Sequence, residues 1–544
     1  MNLINDPWLP ALTCDGRRII ITPAQVSDPN IAELDLPRLD FQGAAYQLLI
    51  GLLQTTFAPS DIDDWLDNYE TPPTVEALQD AFAVVEHAFF MSNNPASSNA
   101  LFMQDLDPLQ DTKSINSVGS LLIEAPGKQT IENNTDFFIK RGLVNQLSIP
   151  MAAIALFTLQ INAPSGGQGH RTGLRGGGPM TTLVRPSREK STLWQKLWLN
   201  VINRKDFDYP DPNFHDGSVF PWLADTRVSD KTDGKPTYRY EVHPLHVYWA
   251  MPRRIRLIID ESPTKTDSTD TRVVDDLTGE PCDQVVRSYR ARNYGYDYKG
   301  DWSPHPITPY RLNPKKPEET PFSIKAQPGG INYKIWHMLT FTTSKEGKSG
   351  FIHAMVLDQA NEVYEASEGE IDASRLWVFS YDMDNMKARC FYSKELPIYH
   401  INPDDQQQFL DTVLELQTLT DSVVVQLRNS IKKSWMSEQR ASDTKGDMSS
   451  IDAMFWQRSE SLFFTAINEA VRNGGRLSND AGLRWLNSII NLADQIFEEQ
   501  VLSSAVIKQR HMAQLNQLRA FLYGNKALAN FRGRHNATNK ETNP

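Results

Sequence analysis

The chain has 544 residues, 40% of them hydrophobic and 22% charged, with a formal net charge of −12. This composition supports a folded core, and the net acidity argues against a protein that coats nucleic acid over its whole surface. No apolar run approaches the ~18 residues of a membrane span. The three cysteines, Cys14, Cys282 and Cys390, are too scattered for a disulfide framework or a cysteine-rich metal site.

In chain order, MNLINDPWLPAL has no basic region ahead of an apolar stretch and does not read as a secretory signal, so the expected location is cytoplasmic. RRIIIT reads as a strand, and GAAYQLLIGLLQTTF as a helix closed by Ala58-Pro59. VEALQDAFAVVEHAFF reads as a second helix after Pro72-Pro73, with acid in its first turn. From about 100 to 395 the pattern is mixed and loop-rich. RIRLIID, GFIHAMVLD and RLWVFSYD read as strands, while DESPTKTDSTDTR and NPKKPEET read as exposed insertions. After Pro403, Phe409, Val413, Leu416, Val423, Leu427, Ile431 and Trp435 mark one face of a long helix. Ser449 with Asp452 suggests the cap of a next helix that ends at Gly474-Gly475. Two more helices are expected over about 480–499 and 501–523, the last ending at Gly524. The expected fold is therefore α+β: a large mixed α/β domain over 1–400 with irregular sheets and long loops, a four-helix bundle over 401–535, and a disordered tail over 536–544.

Charge is unevenly spread. Residues 61–80 carry seven carboxylates and no Lys or Arg, whereas 165–190 carry Arg171, Arg175, Arg185, Arg188 and Lys190 against Glu189 alone. Residues 500–540 hold seven Lys/Arg and no acid. Such strips can attract a polyanion while the whole stays acidic.

No HExxH, CxxC or G-x-S-x-G occurs, so the sequence offers no convincing catalytic constellation. Asp382-Met383-Asp384 after a strand has the makings of a Mg²⁺ site, though a tight polar turn accounts for it better. Seven glycines fall within the thirteen residues from Gly166 to Gly178, but neither the dinucleotide-binding nor the P-loop spacing is met. A bare backbone can instead approach a rigid surface and present N–H donors there, as in the duplex minor groove. Ser288–Lys299 alternates basic and aromatic residues, which suits phosphates and bases but equally a strand with Tyr and Arg facing solvent. Phe137-Phe138-Ile139-Lys140-Arg141 is a weaker signal of the same kind.

Three motifs occur in order: MNLI followed by Trp8-Leu9-Pro10; Gly169-x-x-x-Gly173-Leu174-Arg175-Gly176-Gly177-x-Pro179-x-Thr181-Thr182-x-Val184; and Trp302-Ser303-Pro304-His305-Pro306. With the terminal helices, they resemble the large subunit of the type I-E CRISPR surveillance complex, Cascade, over essentially the whole chain. The resemblance implies a non-catalytic subunit at the end of the complex that holds the 5′ handle of the guide RNA. Such a subunit checks double-stranded DNA for the protospacer-adjacent motif (PAM), begins strand separation, and recruits a helicase-nuclease. It implies a PAM-contacting loop at Gly166, Gly167, Gln168 and Gly169, with Ser165 ahead of it. The family's lysine finger falls near Asn293, so Arg290 or Arg292 would supply the cation. The wedge that parts the first base pair falls on Asn385, with Met386 beside it. Phe137, Lys140 and Arg141 would meet the guide handle. The implied partners are the other Cascade subunits, the guide RNA, target DNA and the helicase-nuclease, with no membrane, cofactor or metal; Cys282 stands alone, so no zinc is expected. Two other readings stay open: a metal-dependent nuclease using Asp382 and Asp384, and a purely structural scaffold of a ribonucleoprotein complex.

Overall fold

The computed structural model describes the chain except residues 93–98, 137–140, 188–189, 233, 262–272, 314, 317–318, 343–349, 385, 437–447, 504–505 and 537–544, and the side chains of 128 and 261. The fold is α+β. The chain forms two compact units, one of Met1–Ala326 with Phe341–Ile398, the other of Gln327–Thr340 with Tyr399–Pro544.

The first unit is built around two helices, Leu39–Thr56 and Ile149–Asn162, which pack on each other and are buried on almost every side. A helix apolar all round belongs inside a core. Gly43 permits the close approach of the first: a Cβ there would lie 2.6 Å from the Phe379 ring. Phe379 belongs to a three-stranded antiparallel sheet in which Arg375–Asp384 lies between Lys387–Pro397 and Thr181–Arg185. In a second sheet, Gln284–Arg292 pairs with Arg254–Glu261, Ile115–Ser117 and Leu147–Ser148, all antiparallel. The N-terminal motif is a core plug: Trp8 is buried, its indole N–H donates to the Leu3 carbonyl at 2.9 Å, and Leu9–Thr13 begins a small sheet with Arg18–Ile21 and Ile31–Leu34.

Several local expectations change. GFIHAMVLD is not one strand: Phe351–Ile352 makes a two-residue strand and a helix begins at Met355. The apolar run was too short to separate the two states by period. The helix expected over 75–90 spans Val75–Ala83, followed by a 3₁₀ turn at Glu86–Ala88. Most of DESPTKTDSTDTR lies outside the described residues.

The second unit is helical: Gln406–Trp435, Ser449–Arg472, Asn479–Phe497 and Gln509–Gly524 pack together, and Lys526–Asn536 follows as a further helix. The fourth helix starts at Gln509 rather than 501, because Glu498–Leu502 prolongs the third as a π turn. Phe409 through Ile431 are buried as the spacing requires, but Trp435 is 44% exposed. The N-cap position is Met448, which makes no side-chain cap bond, and Asp452 accepts from Arg428 at 2.6 Å. Gly474 and Gly475 end their helix with φ of +60° and +79°. Residues 327–340 supply part of this core, with the Tyr333 ring stacked 4.2 Å from Phe463 and its hydroxyl 2.8 Å from Ser459.

Candidate nucleic-acid interface

The glycine-rich segment starts where the Ile149–Asn162 helix ends. A bridge between Gly166 and His170 closes a tight turn, and Gly167 and Gly169 occupy the left-handed region at φ +53° and +78°. Only Gln168 carries a side chain across the tip. The turn rests on residues more than a hundred positions away. The Asn293 side-chain amide donates to the Gln168 carbonyl (2.8 Å), the Gln168 amide to the Tyr294 hydroxyl (3.0 Å), and the Tyr294 N–H to the Gly169 carbonyl (2.8 Å). A Cβ on Gly169 would lie 2.8 Å from Asn293 Cβ and 3.0 Å from the Tyr294 ring, so only glycine permits this contact. A Cβ on Gly167 would meet nothing within 4 Å.

Residues 173–178 form the buried root of the turn. Gly173 donates to the Ala163 carbonyl (2.9 Å), Gly178 to that of Asn162 (3.0 Å), and a Cβ on Gly177 would lie 2.7 Å from Pro164 Cα. The root is thus laced to the end of the preceding helix.

Three arginines of the basic strip over 165–190 are engaged within the fold while Lys190 is exposed, which corrects the reading of the whole strip as a surface for a polyanion. Arg175 is buried and donates to Thr181 (3.0 Å), Thr308 (2.9 Å) and Gln47 (2.8 Å). Arg185 pairs with Glu33 and lies over the Tyr46 and Trp377 rings. Arg171 donates to Ser229, faces Asp297 at 3.5 Å and lies over the Tyr294 ring. Each guanidinium meets acceptors or rings that are distant in sequence, so local charge could not reveal its burial. Arg188 lies outside the described residues. The C-terminal cations are also engaged in part: Arg519 pairs with Asp494 and Glu498, and Arg534 with Glu415.

The 288–299 segment is half strand and half core. Tyr289 and Tyr296 are buried, and Tyr296 stacks beside Tyr298 with the rings 6.0 Å apart, so these rings are not free to stack on bases. Arg292 is bound to Asp107 (2.9 Å) and Asp111. Arg290, opposite Ile115 and Arg256 in the sheet, has no hydrogen bond or ion pair among the described residues. Asn293 is exposed apart from its bond beneath the turn.

Asn385, Phe137 and Lys140 lie outside the described residues. Met386, next to Asn385 between two paired strands, is 51% exposed. Arg141 is clamped by Asp136 at 2.6 Å and donates to Asn134 at 3.0 Å. Asp382 is buried and accepts both arms of Arg389, at 2.7 and 3.1 Å, while Asp384 is 63% exposed. The pair therefore does not present two free carboxylates to a metal. The sequence reading gave no role to Tyr294, which makes two of the three hydrogen bonds that seat the turn; its position after the Arg-Asn pair was the local signal.

The profile of the CRISPR-associated protein Cse1 family matches residues 2–496. The chain is similar in fold to CasA (Cse1) of Thermus thermophilus, at 16% identity over 98% of this chain and 99% of that one, with a TM-score of 0.63. Cse1 of Acidimicrobium ferrooxidans gives 16% identity over 98% and 99%, with a TM-score of 0.65. A chain of a CRISPR RNA-guided surveillance complex gives 14% identity over 96% and 99%, with a TM-score of 0.64. At these identities the solved structures speak for the fold alone, but the family profile spans both units, and the chain belongs to the CRISPR-associated protein Cse1 family.

Proposed function

We propose that this protein is the non-catalytic large subunit of a type I-E CRISPR surveillance complex, Cascade, and that its 166–169 turn enters the minor groove of target duplex at the PAM. Family membership supports the subunit assignment. One observation carries the role of the turn: a nearly bare backbone tip is fixed from behind by Asn293 and Tyr294. That joins the two segments which the sequence resemblance assigns to one duplex contact. A minor groove only ~6 Å wide admits backbone more readily than side chains, and its degenerate pattern fits tolerance of several PAM sequences. On this reading Arg290 supplies the nearby phosphate contact, and Asn293 serves as the strut of the turn. Asn385 with Met386 begins strand separation, Phe137, Lys140 and Arg141 meet the guide handle, and the helicase-nuclease joins after target binding.

The test is Gly167→Val in the complex reconstituted with guide RNA. A β-branched residue at φ +53° is strained, but its side chain points into open space, so the fold should persist. Binding to PAM-bearing duplex should fall by about tenfold or more, the equivalent of ~1.4 kcal/mol, with little change on pre-opened target. Equal binding of both targets by variant and parent would favour a passive linker. Mg²⁺-dependent cleavage abolished by Asp382→Ala would favour a nuclease.

A further inference from the structure

Below the root of the glycine turn, the first unit contains a cavity of about 160 Å³ whose wall includes Arg175, Gly176, Trp302, Tyr310, Ser323 and Lys325. That volume is the liquid share of about five waters, enough for one tetrahedral oxyanion, and the site is partly open to solvent. Its electrostatics are one-sided. Arg175 is 5% exposed, yet its acceptors are all neutral: Thr181, Thr308, Gln47 and, at 3.4 Å, the Ile161 carbonyl. Those bonds use its two terminal nitrogens, and the Nε–H donates to no acceptor among the described residues. Lys325 is half-buried with no carboxylate partner among the described residues, and burial pushes its ammonium below its usual pKa. Asp301, which acts on Tyr310 from a distance, is held by the Ser303 amide and hydroxyl.

Two further features mark the cavity as built. The Tyr310 hydroxyl is buried without a hydrogen-bond partner among the described residues, and Tyr310 is only 4% exposed. A buried hydroxyl normally finds an acceptor, because leaving it unsatisfied costs free energy. Gly176 adopts φ +82°, and a Cβ there would lie 3.4 Å from both Lys325 Nζ and Ser323 Oγ. That is ordinary contact distance, so it is the left-handed backbone that calls for glycine here, and the backbone lies directly against the ammonium. Ser323 is already committed, donating to the Arg175 carbonyl at 2.5 Å.

We infer that this cavity binds a phosphate group through the Lys325 ammonium, the Arg175 Nε–H and the Tyr310 hydroxyl. Two cationic donors and a hydroxyl suit the tetrahedrally placed oxygens of a phosphate group, whether a dianionic monoester or a monoanionic diester, better than a planar carboxylate. The phosphate comes from a free monoester or from the backbone of a nucleic-acid strand. Because Arg175 and Gly176 lie in the root of the turn, occupancy stiffens that root.

The experiment uses the full chain and the variants Lys325→Met and Tyr310→Phe, each melted in increasing phosphate at constant ionic strength set with chloride. Arg175 is left intact because its loss would strand buried Gln47, Thr181 and Thr308. Without phosphate, both variants should be at least as stable as the parent, since each removes an unpartnered polar group. Phosphate should raise the melting temperature of the parent saturably. At a given phosphate concentration the increment should be smaller in both variants and smallest in Lys325→Met, whose affinity falls roughly tenfold with the lost cation. Parallel titrations with a nucleoside 5′-monophosphate and a short single-stranded oligonucleotide distinguish the sources. Lys325-dependent binding of the oligonucleotide alone would assign the site to a strand backbone. If none of the three probes shows a Lys325-dependent effect, or if parent and both variants respond alike, the inference is wrong.

Discussion

Gly167 and Gly169 share a left-handed backbone but not the same reason for it. Around Gly167 the space is open, so alanine meets only the conformational cost of roughly 1–2 kcal/mol. At Gly169 the added Cβ also collides with Asn293 and Tyr294, which are the strut of the turn. The two substitutions should therefore separate in native-state hydrogen exchange. The Tyr294 amide, bonded to the Gly169 carbonyl, should lose about tenfold or more of its protection in Gly169→Ala, the equivalent of ~1.4 kcal/mol. It should change much less in Gly167→Ala. Equal effects would mean that the turn is not seated on Tyr294.

At the scale of the element, the Gln284–Arg292 strand decides which of two neighbouring arginines remains available. Residues 290 and 292 point to the same face, and sequence gives no reason to prefer either. Asp107 and Asp111, from a segment far back in the chain, occupy Arg292, while the Arg290 side chain is unengaged among the described residues. Each phosphate contact contributes ~0.9 to the slope of log affinity against log salt on duplex DNA. In the guide-loaded complex, Arg290→Ala should flatten that slope by about one, whereas Arg292→Ala should change it by well under half as much. The reverse order, read by anisotropy across a salt series, would assign the phosphate contact to Arg292. The same strand buries Tyr289, and the chain beyond it buries Tyr296, which removes the aromatic half of the signal read in this segment.

Across the whole molecule, buried histidines set the response to acid. In His246, Nδ1 lies 3.1 Å from the Ser218 carbonyl and Nε2 lies 2.9 Å from the Tyr298 hydroxyl, which itself accepts from the Met251 N–H. That arrangement suits a neutral ring that donates from Nδ1 and accepts at Nε2. Burial pushes His246, His337 and His400 down from 6.5 to about 4, and burial with the Arg175 charge pushes His305 well below its usual value. The unfolded chain takes up these protons near pH 6.5 while the folded chain does not, so stability falls as pH drops from about 6.5 towards 4. The urea midpoint should be lower at pH 5 than at pH 7, with the loss approaching ~1.4 kcal/mol per pH unit for each fully excluded proton. A midpoint that does not move over that interval would show that these rings are not held neutral.

What the sequence determined by itself is local and periodic. The 3.6-residue stripes pointed to the helical C-terminal region, the apolar GAAYQLLIGLLQTTF run to one of the two buried helices but not to Ile149–Asn162, and the glycine spacing with Trp8 and the Trp302–Pro306 run to the family. It also located the segments of the proposed interface, because glycine at positive φ is a requirement of the backbone, written where it acts. Tertiary structure decided what depends on partners distant in the chain: that Arg171, Arg175 and Arg185 belong to the interior, that Arg292 is engaged and Arg290 is not, that Asp382 answers Arg389, and that residues 327–340 complete the helical core. A charge count cannot distinguish a cation facing solvent from one facing a distant carboxylate. Only the fold fixes the distance and dielectric between them.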